Sequence, residues 1–261
     1  MSVNFENPRG EHALKVYPEI NDFTVESLIE VGYGGLLPSF QRFVPVLKAA
    51  YDASPDEGLK EAVDMLVAWD KMSSMTSVET SLAHHFGNEL FKYLPPRGSV
   101  DPYDTYEYAE KQISGDDYLS ALKTAIAKME VDFGSWKVAW GDMNRFQRND
   151  GNIRQTFDDN KPSYPVQLGS GRWGALASVG TRQHDGTKNW YVTSGNSFIA
   201  SVEFGDKVRA KALMAGGLNG DPTSDHFFDQ GEMYGKGTFR DVHFYREDVE
   251  ANMERSYHPG E

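Results

Sequence analysis

The sequence predicts an α+β fold, with helices first, then an antiparallel sheet, then a closing helix. Three observations carry this. Through residues 22–133 apolar side chains recur at helical spacing. From Trp136 onward, short runs rich in β-branched and aromatic residues are separated by turns bearing Gly and Asp. No Gly-x-Gly-x-x-Gly joins a strand to a helix, as a doubly wound α/β fold for dinucleotides would require. The expected organisation is a mainly helical segment over 1–134 and a sheet segment with a C-terminal helix over 135–261.

Each element has a local reason. Thr24 is a side-chain cap for a helix starting at Val25, with Glu26 in its first turn. "LPSFQRFVPVLKAAYDA" sets Phe40, Phe43, Val44, Leu47 and Tyr51 on one face. "SPDEGLKEAVDMLVAWD" predicts a helix from a Ser54 cap with Pro55 at its first position, stacking Leu59, Val63, Leu66 and Val67. "SVETSLAHHFGNELFKYL" and "SGDDYLSALKTAIAKMEVDFG" repeat the pattern, the second closing at Gly134 with Asp116–Asp117 in its first turn. Between them "PPRGSVDPYDTYEYAEKQ" reads as a polar connection. In the second half, "HDGTKNW" marks one turn, and "SFIASVEF" with "VRAKALMA" reads as a hairpin across Gly205–Asp206. The tail "FRDVHFYREDVEANMERSY" reads as a strand and then a helix near Arg246–Tyr257.

Composition bounds the function. Net charge is −13, which would repel nucleic acid and anionic membranes, so neither is an expected partner. There is no cysteine, which excludes disulfides, zinc–thiolate sites and cysteine nucleophiles. No apolar run reaches the length of a membrane span, and the first residues show no apolar core of an export signal.

The densest polar cluster is "GGLNGDPTSDHFFDQGEMY", which holds Asp221, Asp225, His226, Asp229 and Glu232. Its spacing fits no Ca²⁺ loop. Asp225, Asp229 and Glu232 lie near one helical turn apart, which suggests one face of a short helix with His226 off it. A structural role is expected rather than a metal. His84 and His85 are adjacent, so on a helix they point about 100° apart and share no ligand face. A partly buried pair beside Phe86 is expected, while His184, in its "HDG" turn, is expected in solvent. Ser194 and Ser197 of "TSGNS" sit near glycine but form no Gly-x-Ser-x-Gly elbow, so neither is expected as a nucleophile. The five tryptophans, Trp69, Trp136, Trp140, Trp173 and Trp190, are expected in core or interface positions.

The stretch "GGLNGDPTSDHFFDQGEMYGKGTFRDVHFYREDVEAN" resembles the C-terminal end of the β subunit in the penicillin acylase family of N-terminal nucleophile amidohydrolases. The element carrying the resemblance is Ser224-Asp225-His226-Phe227-Phe228-Asp229-Gln230. "GLNGDP" stands where many members have a G-x-S-G-P-like turn. Further segments agree in order: "NFENPRGEHALKVYPEINDFTVESL", "LLPSFQRFVPVLKAAYDA", "AVDMLVAWDKMSSMTS", "WGDMNRFQR" and "SGNSFIASVEF". The resemblance implies a partial αββα sandwich and a parent enzyme, periplasmic or secreted, that hydrolyses an acyl amide of penicillin, acyl-homoserine lactone or lipopeptide type. It also implies that the partners are the α subunit and the N-terminal half of the β subunit, together with a small acyl-amide substrate. No cofactor is implied; members can hold a structural calcium, for which no ligand set is evident here. The family nucleophile is a Ser at the start of the β subunit, whose own amino group is the base. Met1-Ser2-Val3 does not resemble that junction, and the match begins after it, so the chain alone is expected to be inactive. One site residue is carried over: Arg9, fifteen residues before Thr24, matches the Arg that orients the family's oxyanion-hole Asn. The alternative from another class is a non-catalytic module binding a hydrophobic ligand.

Overall fold

A computed structural model describes residues 6–96 and 104–258. The Met1-Ser2-Val3 start lies outside the described residues, as does part of the "PPRGSVDPY" connection.

The first half is helical. α1 (Pro8–Val16) is capped by the Asn7 side chain, which accepts from the backbone N–H groups of Arg9 and Gly10. α2 (Val25–Gly32) starts at Thr24 in a reciprocal cap with Ser27. α3 (Ser39–Ala53) buries Phe40, Phe43, Val44, Leu47 and Tyr51 as their spacing predicts. α4 (Lys60–Ala68) departs from expectation. Ser54 closes α3, and "PDEG" makes a turn in which the Asp56 carboxylate accepts from the Gly58 N–H. A side chain bonding its own backbone two residues on competes with the helix and delays its start. Val67 consequently lies on the outer face, exposed, while Leu59, Val63 and Leu66 are buried.

α5 (Val78–Leu90) is buried almost throughout. The described part of the polar connection carries a further helix, α6 (Thr105–Gln112), started by Asp104, whose carboxylate accepts from Tyr106 N and Glu107 N. α7 (Gly115–Phe133) is capped by Ser114 and ends at left-handed Gly134. α5, α7 and α3 pack on one another around Phe40, Phe43, Phe86, Leu122 and Trp173. Gly87 lets this happen: a Cβ there would lie 2.8 Å from the Trp173 ring.

The strands form two sheets. α8 (Trp140–Met143) leads into β1 (Asn144–Phe146), which joins β2 (Tyr164–Pro165), β3 (Val179–Gln183) and β4 (Trp190–Gly195) in the order β2-β1-β4-β3. β5 (Phe198–Glu203), β6 (Arg209–Met214) and β7 (Arg240–Asp241) form the second, in that order. The β5–β6 hairpin turns across Gly205–Asp206 as expected. All ladders are antiparallel except β1–β4, which is parallel. The sheets share one apolar core, with Val166, Val179, Leu213, Tyr33 and Tyr234 buried and Phe146, Val192 and Ile199 packed against them. Only Asn196 and Ser197 separate β4 of one sheet from β5 of the other.

The acidic cluster is not one helical face. Residues through Gln230 form turns, and α9 (Gly231–Lys236) begins only at Gly231. Asp221 accepts from Thr223 N, His226 pairs with Asp229 at 2.9 Å, and Glu232 pairs with Lys236. The final helix, α10 (Arg246–Ala251), is shorter than its pattern suggests.

Candidate functional site

Arg9 is at the second position of α1, and α1 is held at three points. Arg42 of α3 donates to Glu11 at 2.8 Å. The buried His12 ring bonds the Gly174 carbonyl through Nδ1 at 2.8 Å. Arg9 Nη2 itself donates to the Leu176 carbonyl at 2.7 Å. These contacts fix the guanidinium on the wall of a cavity of about 620 Å³ between α1, α2, β5 and the Leu176–Ala177 segment.

Two more donors reach that wall. Asn196 follows Gly195, whose φ of +136° is open chiefly to glycine. A Cβ on Gly195 would sit 2.4 Å from the Ser178 carbonyl oxygen. The tight turn lets the Asn196 carbonyl accept from Tyr234 Oη at 2.7 Å and its side-chain oxygen accept from Ser178 N at 3.0 Å. Its amide Nδ2 is left without a hydrogen-bond acceptor among the described residues. Ser201, on β5, is only 4% exposed and its hydroxyl has no partner there. An unsatisfied buried hydroxyl costs about 1–3 kcal/mol, so it marks a place where an acceptor would be held.

Arg9, Asn196 and Ser201 thus bring hydrogen-bond donors to a wall that Asn7, Tyr17 and Tyr33 also line. Among its described residues there is no Asp, Glu or His to serve as a base. Such a cavity can hold a carbonyl or an oxyanion. It cannot by itself activate a nucleophile.

The other sequence candidates go elsewhere. His84 and His85 are both buried, more deeply than expected. The His84 Nδ1 pairs with the Thr80 carbonyl at 2.9 Å, and its Nε2 accepts from Ser170 N at 3.2 Å. The ring stacks on Trp140 with centroids 4.1 Å apart. Burial pushes the His84 imidazole down to about 3 and the His85 imidazole down to about 4. These are neutral core groups that tie α5 to the sheet. His184 is half-buried against Phe157, its ring centroid 4.5 Å away, rather than in open solvent. Ser194 and Ser197 line a second cavity with His184, but no hydrogen bond joins either serine to its ring. Trp69, Trp140, Trp173 and Trp190 are core, and Trp136 packs on its edge. Among the described residues no three His, Asp or Glu side chains come together as a metal site. No helix of the described residues is long and apolar enough to cross a membrane.

Asn196 and Ser201 escaped the sequence reading. Their signal is faint: a Gly-Asn pair between two strand patterns, and a serine at an inward position of a strand.

Over residues 3–251 the chain matches the penicillin amidase family, and it belongs to that family, one of hydrolases acting on amides. Among solved structures it is similar to a thermostable penicillin G acylase from Alcaligenes faecalis, with a TM-score of 0.50 at 17% identity, over 96% of this chain and 52% of that one. At that identity the likeness is one of fold: the helices and two sheets follow the acylase architecture. The chain spans about half the length of that acylase chain.

Proposed function

We propose that this chain is the C-terminal part of an amidohydrolase that cleaves the acyl amide of a penicillin-, acyl-homoserine-lactone- or lipopeptide-type substrate. The observation that carries the proposal is the donor-lined, base-free cavity around Arg9 in a chain of the penicillin amidase family. Amide hydrolysis needs a nucleophile, a base and donors aimed at the developing oxyanion. Here the donors are present, so the α subunit and the N-terminal part of the β subunit, which carry the Ser nucleophile in this reading, complete the set. Arg9 orients a donor rather than attacking. The parent enzyme is exported.

The test is complementation. The chain is co-expressed with the missing half of a penicillin amidase family precursor and assayed with phenylacetyl, long-chain acyl-homoserine lactone and lipopeptide amides. Turnover of one amide by the pair and by neither piece supports the reading. If the pair is folded and inactive toward all three while the chain alone binds a hydrophobic ligand, the reading fails and the non-catalytic binding module takes its place.

A further inference from the structure

The second cavity, about 970 Å³, lies away from Arg9, at the mouth formed by the segment after β1, the ends of β3 and β4, and the 152–157 loop. Its wall carries Arg148, Arg154, Arg182 and His184, and no Asp or Glu among the described residues. The asymmetry is marked, because the whole chain has 39 acidic against 26 basic residues. The carboxylates nearest in sequence, Asp150, Asp158 and Asp185, are not part of this wall, and Asp158 accepts from Asn160 N. Asp150 is engaged by Asn152 N and Gln155 Nε2.

The three arginines differ in a useful way. Arg148 is fixed: its guanidinium lies over the Phe227 ring, 3.9 Å from the centroid, and donates to the Phe227 carbonyl. The guanidinium groups of Arg154 and Arg182 come from separate segments and make no hydrogen bond or ion pair with the described residues. Their wall also carries the apolar and aromatic side chains of Phe146, Phe157 and Val192, among the polar ones of Gln155, Thr193 and Ser194. Phe157 stacks on Tyr191 at 4.8 Å, and Val192, Phe146 and Tyr234 continue the surface. His184 Nε2 is buried there with no partner, and burial holds its imidazole below the usual range. Free guanidinium forks beside aromatic rings match a carboxylate on an apolar body, which takes bidentate hydrogen bonds at one end and ring contacts at the other.

We infer that this cavity is a binding site for a small amphipathic carboxylate, an aryl or short acyl acid, held by Arg154 and Arg182 beside Phe157. The inference stands apart from the acylase reading and does not use the Arg9 cavity.

The probe is 1-naphthaleneacetate, with 1-naphthaleneacetamide as its neutral counterpart, titrated into the 261-residue chain by naphthyl fluorescence. The acid is expected to bind at least about tenfold more tightly than the amide, the difference reporting the charge-assisted bonds. The R154Q/R182Q pair is expected to lower the acid's affinity by about tenfold or more with unchanged melting, since neither side chain is bonded in the fold. Arg154→Gln alone should give an intermediate loss, and Arg9→Gln none. Equal binding of acid and amide, an unchanged affinity in R154Q/R182Q, or no binding at all would overturn the site. Complete displacement by equimolar inorganic phosphate, or by a hexaglutamate peptide, would overturn the assignment to a carboxylate on an apolar body.

Discussion

Arg9 and Leu176 stand 167 residues apart in sequence, and the Arg9 guanidinium donates to the Leu176 carbonyl at 2.7 Å. This bond spends part of the side chain's donor capacity on anchoring and leaves the rest facing the cavity with Asn196 and Ser201. Arg9→Gln in the complemented enzyme is therefore expected to lower kcat by about a hundredfold with little change in KM, as for a group supporting an oxyanion donor. Steady-state kinetics with the best amide substrate checks this. A variant that melts early but keeps its kcat would show that Arg9 only holds α1 in place.

His84 and His85 predict how stability responds to acid. Both are neutral when folded, with imidazoles pushed down to about 3 and about 4 by burial, against 6.5 for an ordinary histidine. The unfolded chain therefore takes up protons that the folded chain refuses. Stability is full above about pH 6.5 and falls progressively as pH drops toward 4, by about 3 kcal/mol for each histidine. Denaturant titrations across that window should show the loss, and His84→Asn should flatten part of it. His84→Ala should also cost about 3 kcal/mol at pH 7, through the lost stacking on Trp140 and the orphaned Ser170 N–H.

Gly195→Ala tests the turn that places Asn196. The positive φ and the 2.4 Å approach to the Ser178 carbonyl leave no room for a methyl group. A loss of about 2–3 kcal/mol is expected by thermal or chemical unfolding. Gly186→Ala is the comparison: it also has positive φ but open space around it, so only the backbone term of about 1 kcal/mol applies.

The outer face of β5 predicts association. Phe198, Ala200, Val202 and Phe204 alternate onto one side of an edge strand, and Phe204 is 85% exposed. A hydrophobic edge with free backbone groups invites pairing with a second copy. The isolated chain is expected to self-associate in light-scattering measurements at micromolar concentration, and F198K/F204K to return it to the monomer without a change in melting midpoint.

Much of this fold was legible in the sequence because local signals and burial agreed. Thr24 and Gly134 mark helix ends by rules that act within one turn, and the α3 stripe faces the core its spacing demands. Ser54 failed because a cap depends on which residues follow it: Asp56 and Gly58 made a turn first. The acidic cluster misled because spacing cannot report that Asp229 turns to His226 and Glu232 to Lys236. The two cavities were nearly invisible. Their walls draw on residues as far apart as Arg9 and Ser201, or Arg148 and Arg182, which only the docking of α1 and the strand pairing bring together. The parallel β1–β4 pair was equally hidden, since the pattern of one strand does not state its neighbour's direction.

The two-residue passage from β4 to β5 has a mechanical meaning. A link of Asn196 and Ser197, clamped by Tyr234 and Ser178, offers no slack for one sheet to slide over the other. It works as a rivet. A push on either sheet is handed on to the other at this point, and α1, pinned through Arg9, Glu11 and His12, is carried along with it rather than swinging free.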